Sequence, residues 1–126
     1  MKDFKKYYIV GADPEMVYKA LTNVATIQLW SGSPAMMEPV IDTEFSLWEG
    51  SICGRNIEFL PFKKIVQEWY FGEQENPSIV TFLLHEDKKG CSVELRHTNI
   101  PDEDYENITI GWTEMYFASL IGFYAE

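Results

Sequence analysis

The chain has 126 residues, 46% hydrophobic and 24% charged, with ten Lys and Arg against twenty Asp and Glu and a net charge of −10. That composition supports one folded core and excludes a disordered chain, while the lack of basic clusters argues against a nucleic-acid partner and an anionic membrane surface. No apolar run reaches the ~20 residues that cross a bilayer, and no signal-peptide core follows the basic first six residues. The expectation is therefore a cytoplasmic protein without membrane insertion, folded as a single domain over residues 1–126.

Residues 3–10 carry Phe4, Tyr7, Tyr8, Ile9 and Val10 and read as a strand. Asp13 as N-cap, Pro14 at the first helical position and Glu15 near the positive end of the dipole then open a short helix. Val17, Ala20 and Leu21 share one of its faces. Asn23 and Ala25 break it, and a second short helix or turn runs through Ile27, Leu29 and Trp30. The Ser31, Gly32, Ser33, Pro34 stretch is a loop by composition. Met36 and Met37 follow in a loop, where adaptable thioethers suit a pocket mouth, a partner surface or simple packing.

From Phe45 the pattern has period two. Phe45 and Leu47 alternate before a turn at Glu49 and Gly50, and Ile52, Cys53, Ile57 and Phe59 lie in the next strand, which ends at Pro61. Ile65, Gln67, Trp69 and Phe71 share a face of the following strand, opposite Val66, Glu68 and Tyr70. Residues 72–77 form a loop. Val80, Phe82 and Leu84 share a face of the next strand, with His85 on the other. A hairpin turn over 87–90 places Gly90 where a positive φ is wanted. Then Val93, Leu95 and His97 face the core, and Glu94, Arg96 and Thr98 face solvent.

After Asn99, Ile100 and Pro101, three acids at 102–104 begin a long helix, where the dipole favours them. Tyr105, Ile108, Trp112, Met115, Tyr116, Leu120 and Phe123 recur at helical spacing and define its buried stripe. The order is a strand, two short helices, a meander of about five strands and a long helix. This predicts an α+β fold with an antiparallel sheet covered by helix on one face. Cys53 and Cys91 read as reduced, buried thiols, and with only His85 and His97 beside them no zinc spacing exists, so neither metal nor cofactor is expected.

Four segments resemble the activator of heat-shock-protein-90 ATPase homologue family, within the START and birch-pollen-allergen superfamily. They are residues 12–22, the hairpin over 45–54, Ile65 to Trp69, and Asn99-Ile100-Pro101 followed by Gly111-Trp112 and Tyr116-Phe117. The last is especially similar to the C-terminal domain of the eukaryotic co-chaperone, whose separate N-terminal domain 126 residues are not expected to accommodate. The resemblance implies a helix-grip fold: a curved antiparallel sheet of about six strands wrapped on the terminal helix, with two short helices after the first strand. It also implies a pocket between helix and sheet.

Combined with the alternation above, that implied pocket is walled by Phe45, Leu47, Ile57, Phe59, Gln67, Trp69, Phe71, Phe82, Leu84, Leu95 and His97 on the sheet. Trp112, Met115 and Tyr116 close it from the helix. A small hydrophobic ligand suits such walls, and so does a solid core with no ligand at all. His97 either bonds a ligand or moves a proton, or is a neutral histidine bonded to a neighbour. Gln67 is either a polar anchor or a satisfied core amide. The first functional expectation is a small-ligand binding module. The second is an interaction domain that contacts a heat-shock-protein-90-type chaperone. The third is a pocket enzyme using His97, for which no nucleophile-elbow or phosphate-loop motif exists.

Overall fold

The computed structural model of the chain describes residues 1–72 and 76–125. The middle of the loop expected over 72–77 and the final residue of the terminal stretch lie outside the described residues. The elements are β1 (Lys2–Val10), α1 (Pro14–Thr22), α2 (Val24–Ser31), β2 (Glu44–Leu47), β3 (Ile52–Leu60), β4 (Lys64–Trp69), β5 (Ser78–Asp87) and β6 (Gly90–Ile100). A terminal helix follows in three parts: α3 (Tyr105–Gly111), a π turn (Trp112–Tyr116) and α4 (Phe117–Phe123).

The strands form one antiparallel sheet in the order β1-β6-β5-β4-β3-β2. The sheet curves around the terminal helix in a helix-grip arrangement. One face carries Val80, Phe82, Val93, Leu95, Ile65 and Trp69 into the core beneath the helices. At the β5–β6 hairpin, Gly90 has φ of 134°, and a Cβ there would stand 2.5 Å from the Val10 carbonyl oxygen, so only glycine lets β1 and β6 meet.

The short helices form for the reasons legible in the sequence. Asp13 accepts a hydrogen bond from the Met16 N–H at 2.8 Å, and Pro14 occupies the first turn. Asn23 leaves helical geometry, ends α1 and caps α2 by accepting from the Thr26 N–H at 3.0 Å. Gly32, at φ 70°, terminates α2. Beyond it Met37 is buried, whereas Met36 is exposed and pairs its backbone with Ser46.

Three sequence expectations are corrected. In β3 the register slips between Asn56 and Glu58, so Asn56 pairs with Gln67 and Phe59 with Ile65. This β-bulge turns both Asn56 and Phe59 inward, although they stand three positions apart, and Asn56 takes the fully buried position expected for Ile57. On the outer face Glu94 is 7% exposed rather than solvated. Arg96 Nε donates to it at 2.6 Å, and His85 Nε2 and Lys5 Nζ stand 3.2 and 3.8 Å away. Burial alone would raise its pKa, but the Arg96 and His85 hydrogen bonds outweigh burial and hold it below the usual carboxylate range.

The third correction concerns the terminal stripe. The Phe117 N–H bonds the Trp112 carbonyl, five residues back, so one extra residue enters the turn. Trp112, Tyr116, Phe117 and Leu120 all face the sheet as a result, whereas Met115 and Phe123 are exposed at 46% and 43%. In an unbroken α-helix, at about 100° per residue, Phe117 would stand about 140° round from Trp112 and away from the sheet.

Candidate functional site

All four tryptophans converge beneath the terminal helix. Trp112 stacks on Trp69 with centroids 4.7 Å apart, and Tyr116 lies 4.7 Å from Trp112 and 5.1 Å from Trp30. Trp48 meets Trp30 and Tyr116 edge-on at 5.8 and 5.9 Å. Every indole N–H in this cluster has an acceptor. Trp30 donates to the Ala20 carbonyl at 2.8 Å and Trp48 to the Ser31 carbonyl at 3.2 Å. Trp69 donates to Gln67 Oε1 at 3.0 Å and Trp112 to His97 Nδ1 at 3.0 Å.

Two buried polar chains hang from these indoles. In one, His97 Nε2 lies 2.7 Å from Ser78 Oγ, which donates to the Thr98 carbonyl at 3.1 Å. Burial pushes the His97 pKa down to about 3, so the imidazole is neutral at physiological pH. In the other, Gln67 Nε2 donates to Asn56 Oδ1 at 3.4 Å. Asn56 Nδ2 in turn donates to the Glu38 carbonyl and to Thr43 Oγ1, each at 3.1 Å. This chain ties the sheet to the loop ahead of β2. The residue nominated by parity, His97, is thus inward and fully buried, with both ring nitrogens engaged.

An apolar cleft of about 180 Å³ opens beside this cluster, between the β2–β3 turn and the first half of the terminal helix. It is lined by Trp48, Ser51, Ile52, Trp69, Asn107, Ile108, Gly111, Trp112, Met115 and Tyr116. Of the fourteen residues nominated from the sequence, Trp69, Trp112, Met115 and Tyr116 line it. Phe45, Leu47, Gln67, Phe82, Leu84, Leu95 and His97 do not; they are buried in the packed interior. Phe59 and Phe71 are half-buried and also lie away from the cleft. Ile57, at the bulge, is half-buried as well.

The sequence reading missed Trp48, Ser51, Ile52, Asn107, Ile108 and Gly111 as wall residues. Trp48 carried a usable signal: it is a large aromatic beside a turn glycine, with no strand face to serve. It adopts φ of 49°, uncommon for a bulky side chain. Tyr116 is 5% exposed, and among the described residues its hydroxyl has no hydrogen-bond partner. Burial raises its pKa above the ordinary tyrosine value. Elsewhere Cys91 is buried and its thiol is pushed up to about 11, which leaves it un-ionised and unreactive at neutral pH.

Residues 11–122 match the model of the family described as Activator of Hsp90 ATPase homolog 1-like protein. The chain belongs to that family. It is 30% identical over 103 residues to the activator of 90 kDa heat shock protein ATPase homolog of Dictyostelium discoideum, a match covering 79% of this chain and 27% of that protein. Homolog 2 of the same activator from Mus musculus is 24% identical over 110 residues, covering 86% of this chain and 33% of that one. The chain therefore spans about a third or less of the length of these relatives. The crystal structure of an HSP90 activator from Plasmodium falciparum superposes with a TM-score of 0.83 at 28% identity, covering 92% of this chain and 91% of that one. The helix-grip fold and the suspected family are both shown by these likenesses.

Proposed function

We propose that this domain docks on a 90-kDa heat-shock-type chaperone and raises its ATPase activity. The observation that carries the reading is the match to the Plasmodium HSP90 activator, which covers more than nine-tenths of both chains. A chain consisting almost wholly of this one fold bears that description. The longer Dictyostelium and mouse relatives hold further sequence beyond the matched part, so docking is assigned here with more weight than full stimulation. The packed interior agrees: Trp112, Phe82, Phe117 and Leu95 fill the space under the helix where a large ligand would have to sit.

The test is calorimetric titration of the purified chain into a purified 90-kDa heat-shock chaperone, with ATP turnover followed in parallel. A complex that weakens as salt rises is expected, because a chain of net charge −10 meets its partner through screened charges. Failure to form a complex at low salt sinks the reading. Turnover unchanged in a saturated complex would leave docking and remove stimulation.

A second reading retains a small hydrophobic ligand, now in the cleft rather than inside the core. Its volume of about 180 Å³ lies below the ~300 Å³ at which drug-sized sites begin, so it suits something no larger than one aromatic ring. Catalysis is not assigned: His97 faces no cleft wall and both its nitrogens are spent on neighbours.

A further inference from the structure

The cleft is the size of one side chain, and its chemistry says which. We propose that it is an anchor pocket for a single tyrosine side chain of the chaperone, presented on a segment with basic flanks; this rests on the docking reading above. An engineered cavity of ~150 Å³ accommodates benzene, so about 180 Å³ accepts a phenol ring. Trp48, Trp69 and Trp112 supply flat apolar walls, and rigid aromatic anchors in such pockets dominate binding energy at protein interfaces.

The polar requirement comes from Tyr116. The four indoles have acceptors, and the Tyr8 hydroxyl is paired with Thr113 at 2.8 Å. Tyr116, which lines the cleft, has a hydroxyl with no partner among the described residues. In this proposal a guest with a hydroxyl at its tip supplies the partner that the Tyr116 phenol lacks among the described residues. A tyrosine does so, whereas phenylalanine or leucine does not.

Two further features fit an interface. Trp48 sits at positive φ in the hairpin turn, with its indole bonded to the Ser31 carbonyl and its ring against Trp30 and Tyr116, so this cleft wall is fixed before a guest arrives. Met115, exposed at the rim, adapts to the guest's backbone. Exposed Glu49, Glu106 and Glu114 adjoin wall residues Trp48, Asn107 and Met115 in the chain, and no wall residue is cationic. Basic residues either side of the anchor complement this rim.

The experiment uses p-cresol as the tyrosine side-chain surrogate and toluene as its hydroxyl-free control, with indole-labelled protein read by NMR. A cleft-plugging variant, Gly111→Leu, completes it: a Cβ added at Gly111 meets nothing within 4 Å, and leaving glycine favours the helix. The expected result is p-cresol shifts at Trp48 and Trp112, and affinity for p-cresol several-fold above that for toluene. Tyr116→Phe levels the two. Gly111→Leu abolishes the shifts and weakens the chaperone complex at least about tenfold.

Equal affinities for p-cresol and toluene overturn the tyrosine assignment. Shifts lost in Gly111→Leu with the chaperone complex intact overturn the anchor assignment and leave a small-molecule site. Absence of any chaperone complex with the unaltered chain overturns the docking reading itself, and the anchor with it, whatever p-cresol does. Normal indole spectra of each variant show that it has folded.

Discussion

The indole N–H of Trp112 and the Nδ1 of His97, 3.0 Å apart, fix each other's state. An indole can only donate, so Nδ1 carries no proton and Nε2 must carry the one proton of a neutral ring. That proton points to Ser78 Oγ, whose own hydrogen goes on to the Thr98 carbonyl. A proton added at Nδ1 would face the indole N–H with two donors and no acceptor.

Acid therefore weakens the fold through His97. In the unfolded chain a histidine binds a proton near pH 6.5, whereas the native ring resists it down to about 3. Between those values the unfolded state holds more protons, so stability falls as pH falls, by up to about 1.4 kcal/mol per pH unit. The contribution is complete above about pH 6.5 and is lost on the way to 3. Urea unfolding between pH 7 and 5, above most carboxylate titration, should show the slope, and His97→Gln should flatten it.

Gln67 joins Trp69 to Asn56 inside the sheet, so Gln67→Leu strands the Trp69 N–H in the core. A loss of about 1–3 kcal/mol is expected, the cost of an orphaned buried donor. Equilibrium urea unfolding measures it. A neutral result would show that water or a shifted indole satisfies the donor.

The π turn sets two phenylalanines apart. Phe117→Ala should cost about 3–5 kcal/mol, because a fully buried ring leaves a cavity. Phe123→Ala should cost under about 1 kcal/mol, since that ring is largely exposed. A helix without the π turn reverses the order, so a thermal melt of the two variants decides the geometry.

Tyr116→Phe removes a buried hydroxyl without disturbing the ring packing. The variant should be more stable by about 1 kcal/mol, while losing the preference for p-cresol. The unaltered Tyr116 should also stay un-ionised in an alkaline titration until the chain unfolds, because burial raises its pKa. Absorbance of tyrosinate reports this directly.

Much of the fold was legible where local chemistry and periodicity agree. Asp13 and Pro14 announced α1, and Gly90 announced the hairpin. The alternation through Val93, Leu95 and His97 located the inner face of β6. What escaped depends on partners distant in the chain. Nothing in the residues around Asn56 marks the bulge, which arises from pairing with β4. The π turn has no sequence code either: Phe117 is drawn in by stacking on Tyr8 at 3.9 Å, more than a hundred residues away. The cleft was misplaced for a related reason. Parity finds strand faces, but eight of the ten wall residues come from the β2–β3 turn and the terminal helix, where parity says nothing.

The sheet order puts β1 at the edge beside β6, so Lys5 waits for Arg96 and Val10 for Cys91 before either ladder exists. During synthesis the opening strand, with Tyr8 and Val10 meant for the interior, has no mate until the fifth strand after it, β6, has emerged. Its lysines at positions 2, 5 and 6 keep that unmated edge repellent to copies of itself in the interval. Folding must consequently be late and cooperative, closed by the pairing of the first strand with the last, and its rate should respond more to changes at the β1–β6 seam than to any within the meander.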